Sequence, residues 1–139
     1  MSDVKVPYTS EALPRRWRVQ QAKRLYDIQL GKMLQTQPES SHDTEIEYLK
    51  AVHVQWQAVS TQDLPTMWAS LKEIQQYAVA NGDLLVCEGG EVGRAAVVDT
   101  LAGPAIIQNA LHRVRPCQGD TRFFMYFLRH VADAGWFEV

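Results

Sequence analysis

Residues 82–98 constrain this chain more than any other stretch. Two short apolar runs, residues 84–87 and 95–98, flank a loop that holds Gly89, Gly90 and Gly93. Runs of Leu, Val and Ala this short, bounded by glycine, read as buried strands. The connection is too long for a two-residue hairpin, and its glycines supply the positive-φ positions that a wide or bulged turn requires. The expected element is a buried hairpin with an unusual tip, which carries Glu88 and Glu91 around the glycines and Arg94 at its exit.

With 139 residues the chain has the length of one domain, and its apolar and charged fractions are those of an ordinary soluble globule. A formal charge of −2 argues against indiscriminate nucleic-acid binding, which leaves a strongly basic footprint, but leaves a local basic patch open. The charge is unevenly placed. Arg15, Arg16, Arg18, Lys23, Arg24 and Lys32 crowd the first third, Arg94, Arg113, Arg115, Arg122 and Arg129 the last, and residues 39–73 are mostly acidic. Such asymmetry reads either as a basic face opposite an acidic one or as ordinary solvated charge. Cys87 and Cys117 have neither metal-ligand nor redox spacing, so neither a zinc site nor a disulfide framework is expected, and no cofactor is implied. There is no apolar leader at the N-terminus, and no run approaches the roughly 20 apolar residues that cross a bilayer, so a cytoplasmic protein is expected.

Residues 1–12 read as a flexible arm and 13–139 as the folded domain. Trp17 and Val19 alternate with arginines as in a half-buried strand. Residues 20–30 suit a short helix ending at Gly31, although Ile28 and Leu30 also suit a strand. Residues 32–44 are polar and long enough for a disordered or functional loop. Residues 46–49 and 51–56 read as a kinked strand burying Val52, Val54 and Trp56 and turning Lys50, His53, Gln55 and Gln57 outward. Pro65 confines its segment to an edge. Ser70 and Glu73 form a capping box that predicts a helix over residues 71–77. Residues 105–115 are strand-like, and Pro116 ends the ladder. Asp120 caps a helix over 121–133 whose expected apolar stripe is Phe123, Phe124, Phe127, Leu128 and Val131, with Gly135 as its stop. The apolar ending at residues 136–139 reads as a domain cut short.

The tip fits no phosphate-binding pattern. A Walker loop needs Lys and Ser or Thr after its last glycine, where this chain has Arg94 and Ala95, and a dinucleotide fingerprint leads into a helix, not a strand. Glu88 and Glu91 have no positioned nucleophile beside them, and Cys87 within an apolar strand reads as a small hydrophobe. Arg113 and Arg115 share one strand face, as either a charged edge or a phosphate-contacting ladder. Lys50, His53, Gln55 and Gln57 are either solvated or of the kind that reads base edges.

Residues 82–96 and 108–116, with Leu13-Pro14 and Trp17, Gly31-Lys32-Met33-Leu34, residues 48–56 and the aromatic run 123–128, resemble the target recognition domain of type I restriction-modification specificity subunits. The resemblance implies a mixed α/β (α+β) fold, with a twisted, largely antiparallel β-sheet and peripheral helices. It also implies a non-catalytic module that reads one half of a bipartite site in double-stranded DNA for partner methyltransferase (modification) and restriction subunits. The chain departs from that family in holding one recognition domain with no spacer helix after it. On this reading Arg94, Arg113 and Arg115 contact phosphate or guanine, and Lys32, Gln35, Lys50, His53, Gln55 and Gln57 lie on loops that approach the groove. The alternatives are a small cytoplasmic hydrolase or transferase using Cys87 or the Glu88/Glu91 pair, and a protein-interaction domain without a nucleic-acid role.

Overall fold

A computed structural model describes residues 13–135; the arm expected over residues 1–12 and the apolar ending at 136–139 lie outside the described residues. Strand β6 (Leu84–Cys87) and strand β7 (Ala95–Val97) form the expected antiparallel hairpin, registered Leu84 to Val97 and Val86 to Ala95. Gly90 and Gly93 adopt φ of 72° and 86°, the left-handed backbone that the wide tip needs.

The hairpin is half of a four-stranded antiparallel sheet in the order β1-β9-β6-β7, with β1 (Tyr26–Leu30) and β9 (Leu111–Pro116) completing it. A second sheet, ordered β5-β2-β8, pairs β2 (Thr44–Leu49) antiparallel with β5 (Thr66–Ala69) and parallel with β8 (Ala105–Ile107). A short ribbon joins β3 (Val54–Gln55) to β4 (Ala58–Val59). The architecture is mixed and mostly antiparallel, as expected, but it has two sheets and a ribbon where one sheet was anticipated.

One of the crossings between the sheets is a tight turn. Ala110 takes φ of 95° and the Leu111 N–H donates to the Gln108 carbonyl, so the run 105–115 breaks between β8 and β9 and the chain changes sheets. Gly31 crosses at the same point. A Cβ there would overlap the Gln108 carbonyl, so this glycine permits a close backbone approach at the end of β1 and is not the helix stop that was expected. The expected helix over 20–30 shrinks to α1 (Ala22–Leu25), and Ile28 and Leu30 lie in β1.

Helix α2 (Leu71–Tyr77) and helix α3 (Thr121–Asp133) match their expected spans. Ser70 Oγ accepts from the Glu73 N–H while Glu73 Oε1 accepts from the Ser70 N–H, which closes the capping box; Asp120 caps α3 by accepting from the Phe123 N–H. Leu49, Leu85, Cys87, Ile107 and Leu111 fill the space between the sheets. Tyr26, Leu84, Val114 and Met125 fill the layer between the first sheet and α3, and Tyr48, Met67 and Ile106 lie under α2. The layers therefore run α3, four-stranded sheet, three-stranded sheet, α2. Helix α3 keeps Phe124, Leu128 and Val131 of its anticipated stripe against the core, but it buries Met125 and leaves Phe123 exposed beside Tyr126. No helix among the described residues is long and apolar enough to cross a membrane.

Candidate nucleic-acid interface

Residues 50–59 form the most exposed part of the expected site. A 3₁₀ turn, Ala51–His53, replaces the first half of the anticipated strand, and leaves Val52 exposed where burial was expected. The β3-β4 ribbon then buries Val54 and Val59 and presents Gln55 and Gln57 to solvent. Its loop is the two residues Trp56 and Gln57, and Gln57 has φ of 65°, a conformation that usually selects glycine or asparagine. A glutamine held there by its surroundings marks the ribbon tip as a candidate contact.

Arg94 ties the ribbon down. Its Nε donates to the Val54 carbonyl at 2.6 Å and its Nη2 to the Ala51 carbonyl at 3.1 Å, while Nη1 lies 3.4 Å from Glu91 Oε2. Trp56 Nε1 donates to Glu91 Oε1 at 3.1 Å, and the Arg129 guanidinium lies 5.0 Å above the Trp56 ring. His53 shapes the turn from within: its Nδ1 accepts the Lys50 N–H at 3.0 Å, which leaves the proton on Nε2. Burial, helped by the Lys50 charge, pulls the His53 pKa below the usual histidine value. Lys50 is half-buried, and Gln55 donates to the Val52 carbonyl at 3.2 Å.

The other expected contacts are internal. Lys32 is buried, donating to Gln35 Oε1 at 3.0 Å and pairing with Glu73 Oε2 at 2.9 Å. Gln35 is buried and donates to Asp43 Oδ2 and the Gln37 carbonyl, so it organises the 32–44 loop. Asp43 completes that loop, its carboxyl held below the usual range first by the Glu39 N–H. Arg113, only 5% exposed, donates to the carbonyls of Gln76 and Ala78 and so closes the C-terminal end of α2. Arg115 forms a bidentate pair with buried Asp83, at 2.7 and 2.8 Å. The face of β9 read as a basic ladder thus meets the end of α2 and Asp83. Each of these four cations, Arg94 included, has a partner of the fold's own.

The nine expected residues consequently do not form one site. Lys32 and Gln35 gather at the start of α2, Arg113 and Arg115 beyond its end, and Lys50, His53, Gln55, Gln57 and Arg94 at the ribbon. Sequence reasoning missed Asp83 as the partner of Arg115, because the two are 32 residues apart, and it weighed Glu91 only for catalysis, although Arg94 follows it by three residues. The groups named for hydrolytic chemistry are also occupied. Cys87 is 1% exposed with its thiol pushed up by burial, and Glu91 holds Trp56 and Arg94.

No protein-family model matches the sequence, and no curated protein does. Among solved structures, the HsdS subunit from Thermoanaerobacter tengcongensis superposes with a TM-score of 0.62 at 20% identity, over 90% of this chain. The chain has the fold of a segment of an HsdS subunit. A second structure, from work on the complex assembly and conformational transition of the type I R-M system, superposes with a TM-score of 0.59 at 19% identity, over 86% of this chain. The matches cover 30% and 28% of those two chains, so this chain spans under a third of their length.

Proposed function

We propose that this chain is a non-catalytic target recognition domain of a type I restriction-modification specificity subunit, reading one half of a bipartite site in duplex DNA. The observation that carries the reading is the likeness to the HsdS subunit across nine-tenths of the chain. The ribbon supports it locally. Gln55, Gln57 and Lys50 project from a loop pinned by Arg94, and amide side chains on a rigid support suit the paired donor and acceptor of adenine in the major groove. His53 stays behind them as a positioning residue. The partners on this reading are modification and restriction subunits in the cytoplasm, which act on the DNA that this domain selects.

Binding the 139-residue chain to a pool of randomised duplexes tests the proposal. A short enriched sequence is expected, and Gln55→Ala with Gln57→Ala is expected to change the enriched bases while leaving the thermal midpoint in place. A pool that stays random after repeated selection would remove the reading. An enriched sequence indifferent to both glutamines would remove the ribbon from it.

A further inference from the structure

We infer that the arginine-bearing turn at residues 14–18, together with α1 and the first turn of α3, is a second DNA contact that grips the phosphate backbone without reading sequence. The inference rests on the DNA-recognition reading for its partner, and on independent geometry for its location.

The cations of these segments differ from the others. Arg15, Arg16, Arg18, Lys23, Arg24 and Arg122 are exposed, and none forms an ion pair among the described residues. By contrast Lys32, Arg94, Arg113, Arg115 and Arg129 all have carboxylate partners. Residues 13–26 contain no acidic side chain, and the nearby Asp120 carboxylate already accepts the Phe123 N–H.

The segment is anchored. The Trp17 N–H donates to the Pro14 carbonyl at 2.9 Å, which closes a tight turn with Arg15 and Arg16 at its two central positions. Trp17 meets Phe123 edge-on, with ring centroids 6.1 Å apart, so the turn sits against the start of α3, the helix turn that also carries Arg122. Arg122 lies in the first turn of α3, where the helix dipole disfavours a cation, so local helix energetics do not account for it. Between the segment and α3 runs a groove of about 680 Å³ walled by Trp17, Phe123 and Tyr126.

The charge pattern selects the partner. Unpaired guanidinium groups spread along a turn suit a polyanion with regularly spaced charges, whereas one carboxylate on a protein surface satisfies one arginine. The shallow cleft of about 560 Å³ beside β2, by contrast, is bordered by Glu45 and Glu47, charges that repel a duplex. A duplex held at residues 14–18 is therefore oriented as well as bound, as phosphate contacts fix register while base contacts specify.

The test is the salt dependence of binding by the 139-residue chain. With a mixed-sequence duplex of about 24 base pairs, followed by fluorescence anisotropy from about 50 to 200 mM salt, log K falls linearly with log salt, with about 0.9 of slope for each neutralised phosphate. The triple variant R15Q/R16Q/R18Q is expected to lower the slope by about 2 to 3, equally on any sequence, and Arg122→Gln by about 0.9. Lys72→Gln, an exposed cation on α2, is expected to leave it unchanged.

An unchanged slope in the triple variant, with a wild-type melting curve, overturns the inference. So does an unchanged slope accompanied by loss of a modification subunit in co-purification, which makes the face a protein contact. A random pool that enriches no sequence, together with the expected drop in slope, removes the recognition reading and leaves this contact standing. An enriched pool with an unchanged slope does the reverse, and no duplex binding at the lowest salt removes both.

Discussion

Replacing Arg94 by lysine separates a clamp from a contact. A DNA-contacting arginine at the tip would keep its charge as lysine and lose part of its affinity, with stability untouched. In the structure Arg94 instead donates from two different nitrogens to the Val54 and Ala51 carbonyls, and a single ammonium reaches one of them. Its side chain is 15% exposed and Val54 is fully buried, so an abandoned carbonyl there is poorly compensated by water. A hydrogen bond to a charged group contributes about 1.5 to 3 kcal/mol, so Arg94→Lys should cost about 2 kcal/mol and Arg94→Ala about 4. The Glu91 contact, at 3.4 Å and with its carboxylate exposed, adds little. For a domain of this size about 2 kcal/mol lowers the thermal midpoint by about 6 °C. Urea titration gives the free energies, and hydrogen exchange shows where the loss falls. The Ser60 N–H, which donates to the His53 carbonyl, should exchange faster in both variants, while Leu84 and Leu85 in the central strand exchange faster only by the global destabilisation. An Arg94→Lys protein that melts like the parent and binds DNA poorly would refute the clamp.

Three further outcomes follow from the same geometry. Gly31→Ala should destabilise by about 3 kcal/mol in urea, because its Cβ would overlap the Gln108 carbonyl where the two sheets meet; a loss below about 1 kcal/mol would show that this crossing relaxes. The Ser70 N–H first, and then Lys32, holds the Glu73 carboxyl below its ordinary 4.5, so its contribution is present above that pH and is lost as pH falls through the lowered value. Glu73→Gln should accordingly flatten the fall in stability below about pH 4.5 in acid denaturation curves, and a parallel curve would refute that linkage. Exposed Cys117 should react at once with an aromatic disulfide reagent and Cys87 only on unfolding, since burial both shields that thiol and raises its pKa; two fast thiols would mean that the hairpin opens.

The sequence by itself determined what depends on near neighbours. Ser70 and Glu73 are three residues apart and cap α2 through each other. Asp120 starts α3 in the same way, and the Leu- and Val-rich runs around the glycines become β6 and β7 with Gly90 and Gly93 at the positive φ their spacing implied. The family resemblance was carried by the same kind of text. Where local preference was divided it misled: residues 20–30 became a short helix and a strand because Tyr26 to Leu30 pair with β9, a partner some 85 residues away that no local pattern names.

Tertiary structure alone decided the fate of the charges. An arginine carries a long stem and a five-donor head, and the sequence does not say whether that head meets water, a carbonyl or a carboxylate. Arg94 reaches carbonyls 40 and 43 residues away, and Arg115 a carboxylate 32 residues away, so the cations that looked exposed became parts of the framework. Among the described residues the arginines without a carboxylate partner are Arg15, Arg16, Arg18, Arg24 and Arg122; those of the 14–18 turn lie next to no acidic text, and Trp17 on Phe123 sets their position. Element type follows from interactions within about four residues along the chain, whereas the pairing of a buried charge is a contact between distant segments, and only the assembled layers bring those together.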